Sequence, residues 1–163
     1  MKKPPKNLIF FIVMTVLTVL FISFIFIHSL INADASAEES LATMAFFQGI
    51  LNALGIPLSL TDYIMRKTAH FCEFGVLGIL VSLTFYSYDK CINKFHKRIL
   101  SVFFVCLATA VTDETIQLFV PGRSGQITDV LLDFSGSVAG VIAVCVILFI
   151  IYMVKNKRIK DIK

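Results

Sequence analysis

The sequence predicts an all-α integral membrane protein: a four-transmembrane-helix bundle, both termini cytoplasmic, with a short amphipathic helix on the outer face between helices 1 and 2. Three observations predict it. The chain is 57% apolar over 163 residues, with a mean hydropathy of +0.85. Four apolar runs approach the roughly 20 residues that cross a bilayer as a helix, at about 8–31, 68–87, 99–119 and 130–154. The basic residues sit between and beyond those runs in an asymmetric pattern. Little sequence remains outside the runs, so residues 1–163 read as one membrane domain.

The first run follows Lys2, Lys3 and Lys6. With small residues at Ala33, Ala35 and Ala37 it has the outline of a secretory signal. Its apolar stretch of about 24 residues is too long for that, because a secretory core has about 7–15. It therefore reads as a retained anchor, with His28 near its outer end as a satisfied interface residue. Next, "SAEES" offers a capping box, Ser36 with Glu39. "LATMAFFQGILNALGIP" then reads as a short helix stopped by Gly55 and Pro57. It is too short to span. Its apolar face (Phe47, Ile50, Leu51, Leu54) suits a helix lying on the outer leaflet, or alternatively a re-entrant segment or lid.

A second capping box, Ser59 with Asp62, predicts a helix from about 60 to 87. The loop "DKCINKFHKR", with a solvated His96, returns the chain. Span three follows and stops at Pro121-Gly122. "GRSGQ" is then a tight turn, and Thr128 is the expected N-cap of span four. Lys90, Lys94, Lys97 and Arg98 lie in the loop between spans two and three. Lys155, Lys157, Arg158, Lys160 and Lys163 follow span four, whereas only Arg66, Lys67 and Arg123 fall on the opposite side. A Lys/Arg excess in loops marks the cytoplasm, which places both termini there. Basic clusters in such positions face anionic lipid, and nucleic acid is not an expected partner.

The four cysteines (Cys72, Cys91, Cys106, Cys145) contain no CxxC pair. They read as apolar fillers plus one free loop thiol, with neither a disulfide framework nor a zinc motif.

In this topology span two enters from outside, span three exits there and span four enters there. Lys67, His70 and Glu73, then Asp113, Glu114 and Gln117, then Asp129 and Asp133 therefore lie at one membrane face, with Arg123 in the turn beside them. Lys67 and His70 share a helix face with Phe74. Asp113 and Gln117 are spaced i, i+4, and Asp129, Asp133, Gly136 and Gly140 form one stripe. Gly136-x-x-x-Gly140 is the small-residue pattern of close helix packing, so the aspartates point toward other helices. Asp113 lies about seven residues inside its span, roughly 10 Å deep. A carboxylate there must be paired, hydrated or protonated. Carboxylates outnumber the cations available, so a protonated carboxyl or a bound divalent cation is expected. Any one of these residues alone reads as interhelical glue. Converging on one water-accessible face, they read as a candidate polar site, with Arg123 suited to a phosphate or carboxylate.

"RKTAHFCEFGVLGIL" together with "DETIQLFVPGRSGQITDVLLDFSGSVAG" resembles the VanZ-like membrane proteins, over about residues 60–150. The pattern comprises Lys67 and His70, Asp113-Glu114 with Gln117, Arg123, Asp129 and Gly136/Gly140. Two positions depart from it: Phe74 where tyrosine is frequent, and Asp133 where asparagine is. The resemblance implies a small polytopic protein of the bacterial cytoplasmic membrane, in a family associated with resistance to the glycopeptide teicoplanin. It supplies a phenotype and no mechanism. Three readings stay open. The first is an envelope protein whose outer site takes a lipid headgroup, a cell-wall precursor or the glycopeptide. The second is an integral-membrane enzyme acting on a phosphorylated lipid or wall precursor, for which no nucleophile motif is visible and Cys72 projects off the His70 face. The third is a non-catalytic transporter or adaptor. Four spans are few for a monomeric transporter, so that reading calls for a homo-oligomer, with the glycine stripe as one candidate contact.

Overall fold

The computed structural model describes residues 6–31, 43–50, 52–55, 57, 59–91 and 98–161. Among these residues every regular element is helical. Four long helices follow one another: α1 (Lys6–Ser29), α2 (Asp62–Cys91), α3 (Ile99–Gln117) and α4 (Ile127–Asp161). Each contains a stretch long and apolar enough to cross a membrane: Asn7–Ser29, Asp62–Lys90, Ile99–Gln117 and Ile127–Lys157. Residues 43–50 are helical as well, within the expected short helix. The Ser36–Glu39 box, the small residues Ala33 to Ala37, Leu51, the basic cluster at Lys94 and Lys97, and His96 lie outside the described residues.

The helices exist where the apolar runs stand, but their ends differ. α1 stops at Ser29, and the Leu30 and Ile31 amides close a final turn on the Ile27 and His28 carbonyls at 3.1 and 3.2 Å. At the start of α2 the cap is Thr61, not Ser59. Its hydroxyl accepts the Ile64 amide at 3.3 Å, the bond that an N-cap oxygen makes three residues on. α4 begins one residue before Thr128. The Gln126 carbonyl accepts the Asp129 and Val130 amides at 2.9 and 3.2 Å, so Gln126 holds the capping position and Thr128 lies inside the first turn. α2 and α4 also run past the expected span ends, through Lys90 and through Lys155 and Lys157. Long cationic side chains are good helix formers and reach polar surroundings from a continuing helix, so charge alone does not stop one.

α2 is the central helix. It packs most extensively on α4, next on α1, and also on α3. The α2–α4 contact is close because small residues face backbone across it. A Cβ on Gly140 would overlap the Gly75 carbonyl, and one on Gly136 would overlap the Phe71 carbonyl. From the other side, a Cβ on Gly78 would overlap the Ser137 carbonyl. The glycine stripe is thus consumed inside the chain. It is not free to join two copies, so a homo-oligomer would have to form through another face.

Below the polar end lies an apolar core of Ile25, Phe74, Leu77, Val81, Val102, Cys106, Ala110 and Val141, drawn from all four helices. Phe74 is fully buried in it. A phenyl ring here needs no hydrogen-bond partner, which is the consequence of lacking a hydroxyl at this position. Thr18 and Thr84 share a 2.9 Å hydrogen bond between α1 and α2. At the far end Arg98 pairs with Asp89 at 2.9 Å and stacks on Tyr88. Large apolar side chains such as Leu20, Phe104, Ile147 and Phe149 are exposed on the outside of the bundle. An exterior this rich in apolar side chains suits a lipid surrounding.

Candidate functional site

The polar end is assembled from the C-terminal turns of α1 and α3, the N-terminal turns of α2 and α4, and the loop 118–126. The loop is built by the local sequence. α3 unwinds through turns that bond the Phe119 and Val120 amides to the Ile116 and Gln117 carbonyls, at 3.0 and 3.2 Å. Gly122 then adopts φ +77°, a left-handed conformation that side-chain-bearing residues rarely take. Gly125 passes so near α3 that a Cβ would overlap the Glu114 carbonyl. The expected turn is therefore a tight return, and it carries Arg123 over the end of the bundle.

A cavity of about 240 Å³ opens there. Its walls include Lys67, His70, Gln117, Arg123, Asp129 and Asp133 from the predicted set. Asp62, Tyr63, Arg66, Gly122, Ser124, Gln126 and Leu132 complete it. Asp113 and Glu114 stand behind the wall, both buried.

The contacts form a connected network. Lys67 on α2 donates to Asp129 on α4. Gln117 donates to Asp113 at 3.0 Å and to Glu114 at 3.2 Å, both on its own helix. The second Glu114 oxygen accepts the Gln126 backbone amide at 3.0 Å, tying the loop to α3. Ser29, the last residue of α1, donates to the other Asp113 oxygen. Glu73 faces His28 across the α1–α2 contact at 3.5 Å, and His28 stacks on Phe24. His70 Nδ1 lies 3.6 Å from Asp133 and 4.0 Å from Asp113. Those separations are too long for hydrogen bonds, and within reach of a shared ion.

Several polar atoms in this region are buried without a hydrogen-bond partner among the described residues. They are His70 Nδ1, both Asp133 carboxylate oxygens, and Nε and Nη1 of Arg123. Burial, with Arg66 nearby, lowers the affinity of the Arg123 guanidinium for its proton, and Asp113, Glu114 and Glu73 work in the opposite direction. An anion in the cavity would relieve that desolvation. The arrangement can therefore hold an anion at Arg123 and Lys67, hold a cation between His70 and the two deepest aspartates, or move a proton between imidazole and carboxylate.

The structure brings eight of the nine predicted side chains into this cavity or directly behind it: Lys67, His70, Asp113, Glu114, Gln117, Arg123, Asp129 and Asp133. Glu73 is the ninth, and it turns toward α1. Sequence reasoning missed Ser29, the partnership of His28 with Glu73, and the wall residues Asp62, Tyr63, Ser124, Gln126 and Leu132. His28 and Ser29 form a polar dipeptide at the C-terminal end of the first apolar run. Topology alone would have put that dipeptide at the same level as Asp113.

No curated protein and no solved structure matches the chain. The family model described as VanZ/LLP1 does match, over residues 8–152, from the first helix deep into the fourth. With four membrane-length helices, and the residues of the resemblance gathered at one end of them, the chain is a multi-pass membrane protein belonging to the VanZ/LLP1 family.

Proposed function

We propose that this chain resides in the bacterial cytoplasmic membrane with both termini inside, and that its polar end opens outward as a binding site for an anionic group at the leaflet surface. The observation that carries the reading is Arg123. Its Nε and Nη1 are buried and unpartnered at the wall of the cavity, with Lys67 and Arg66 beside it. A guanidinium with free donors is suited to a phosphate or carboxylate. The ligand classes are a lipid headgroup, a cell-wall precursor, or a glycopeptide antibiotic held at the membrane. Occupancy of the site alters susceptibility to the lipidated glycopeptide teicoplanin, the phenotype associated with the family. The placement of Lys94, Lys97 and the C-terminal lysines supports the orientation.

The test is expression in a teicoplanin-sensitive Gram-positive host. Susceptibility should fall with the wild-type chain and not with Arg123→Gln at equal abundance. Unchanged susceptibility with abundant wild-type protein contradicts the reading.

A second reading is favoured by His70, which lies beside Asp113 and Asp133 at the cavity. An imidazole so placed can act as a general acid–base group on a phosphorylated lipid or wall precursor. Identical lipid-product profiles from wild type and Asp113→Asn would remove it.

A further inference from the structure

We propose that His70, Asp113 and Asp133 form a binding site for one divalent transition-metal ion at the inner wall of the cavity. Each residue comes from a different helix (α2, α3 and α4), and each offers one ligand atom. Those three atoms all lie within 4.8 Å of one another. His70 Nδ1 stands 3.6 Å from Asp133 Oδ1 and 4.0 Å from Asp113 Oδ2. Two ligands bonded to one ion at about 2.1 Å stand between about 3.0 and 4.2 Å apart, depending on the angle. Both separations fall in that interval.

A second observation points to a ligand independently. The Asp133 side chain is wholly buried, and neither of its oxygens has a hydrogen-bond partner among the described residues. His70 Nδ1, which faces it, is also unpartnered. A carboxylate without hydrogen bonds is among the costliest groups to bury, and a metal ion is one of the few partners that resolves it. Asp113 is held differently. Ser29 and Gln117 each donate to one of its oxygens, the supporting contact that orients a ligating carboxylate.

Charge agrees. Lys67 is paired with Asp129 and Arg66 with Asp62, while Glu73 turns away from the site toward His28 on α1. Asp113, Glu114 and Asp133 remain, with Arg123 near them. Ionised, these three carboxylates against one guanidinium leave two negative charges, which one divalent ion neutralises. One imidazole nitrogen and two carboxylate oxygens suit zinc, manganese or ferrous iron. Calcium and magnesium prefer shells made of oxygen alone. Three protein ligands leave coordination positions free on the cavity side.

The cation site does not depend on the anion reading, and the two are separable. The full-length chain, purified without a polyhistidine tag and stripped with chelator, is incubated with zinc or manganese chloride, desalted and assayed for metal. The wild type should retain about one equivalent, and its thermal midpoint should rise on metal addition. Asp133→Asn, which keeps the shape of the side chain, should retain at least about tenfold less and show no rise. His70→Gln should behave the same way. Arg123→Gln should keep the metal whatever it does to anion binding. A wild-type chain that retains no metal overturns the proposal, and so does a folded Asp133→Asn or His70→Gln chain that retains as much as wild type.

Discussion

Ser29, the last residue of α1, donates a hydrogen bond to Asp113, near the end of α3 and 84 residues away. Both side chains are buried. This contact fastens the first helix to the polar end and satisfies one oxygen of a carboxylate that water cannot reach. Ser29→Ala should therefore destabilise the chain by about 1–3 kcal/mol, the cost of leaving a buried acceptor unsatisfied. A thermal or denaturant midpoint in detergent checks this. Ser23→Ala, which removes only an exposed hydroxyl bonded within its own helix, should shift it far less.

The Lys67–Asp129 pair ties α2 to α4 at the cavity wall. Both side chains are roughly a quarter exposed, at 24% and 22%, so the pair is only partly screened by solvent. A double-mutant cycle with Lys67→Met and Asp129→Asn should give a coupling of about 0.5–3 kcal/mol. Purely additive single-mutant effects would show that the two charges do not support each other.

The glycine stripe makes a sharper packing prediction. Gly140→Leu would drive a side chain into the Gly75 carbonyl. Overpacking of this kind costs about 1–3 kcal/mol or more where backbone must move, and it should separate α2 from α4. A Gly140→Cys and Gly75→Cys pair should likewise fail to fold like wild type. Gly49→Ala has open space around it and should be neutral in the same assay.

Arg123→Lys keeps a positive charge and loses the planar fork. If the guanidinium grips an oxyanion, lysine should recover only part of the binding lost in Arg123→Gln. Titration with vesicles containing phosphatidylglycerol, against vesicles of phosphatidylcholine alone, measures it. Equal affinity across wild type, lysine and glutamine variants would place anion binding elsewhere.

Much of the architecture was legible in the sequence because lipid leaves few options. Apolar runs of membrane length with internally satisfied backbone can only be helices, and all four are present. The polar end was legible for a related reason. Once the runs alternate in direction, His70, Asp113, Asp129 and Asp133 must fall at one level. Helix ends were less legible, because several neighbouring residues can supply the same capping chemistry. Thr61 takes the role expected of Ser59, and the Gln126 carbonyl the role expected of Thr128. The involvement of α1 was also hidden, since His28 and Ser29 are isolated polar residues with no periodic partner on their own helix. Glycine spacing announced close packing without saying whether the partner was another helix of the chain or another copy. Gly136 and Gly140 settle that by meeting Phe71 and Gly75 of α2.

The most direct measurement is the accessibility of the loop that closes the cavity. In a chain with Cys72, Cys91, Cys106 and Cys145 replaced by serine or alanine, Gln126→Cys places one exposed thiol beside Glu114 and the cavity. A membrane-impermeant thiol reagent should label it in intact cells, and phosphate-bearing lipid should slow the labelling. Labelling that occurs only after the membrane is permeabilised would contradict an outward-facing site.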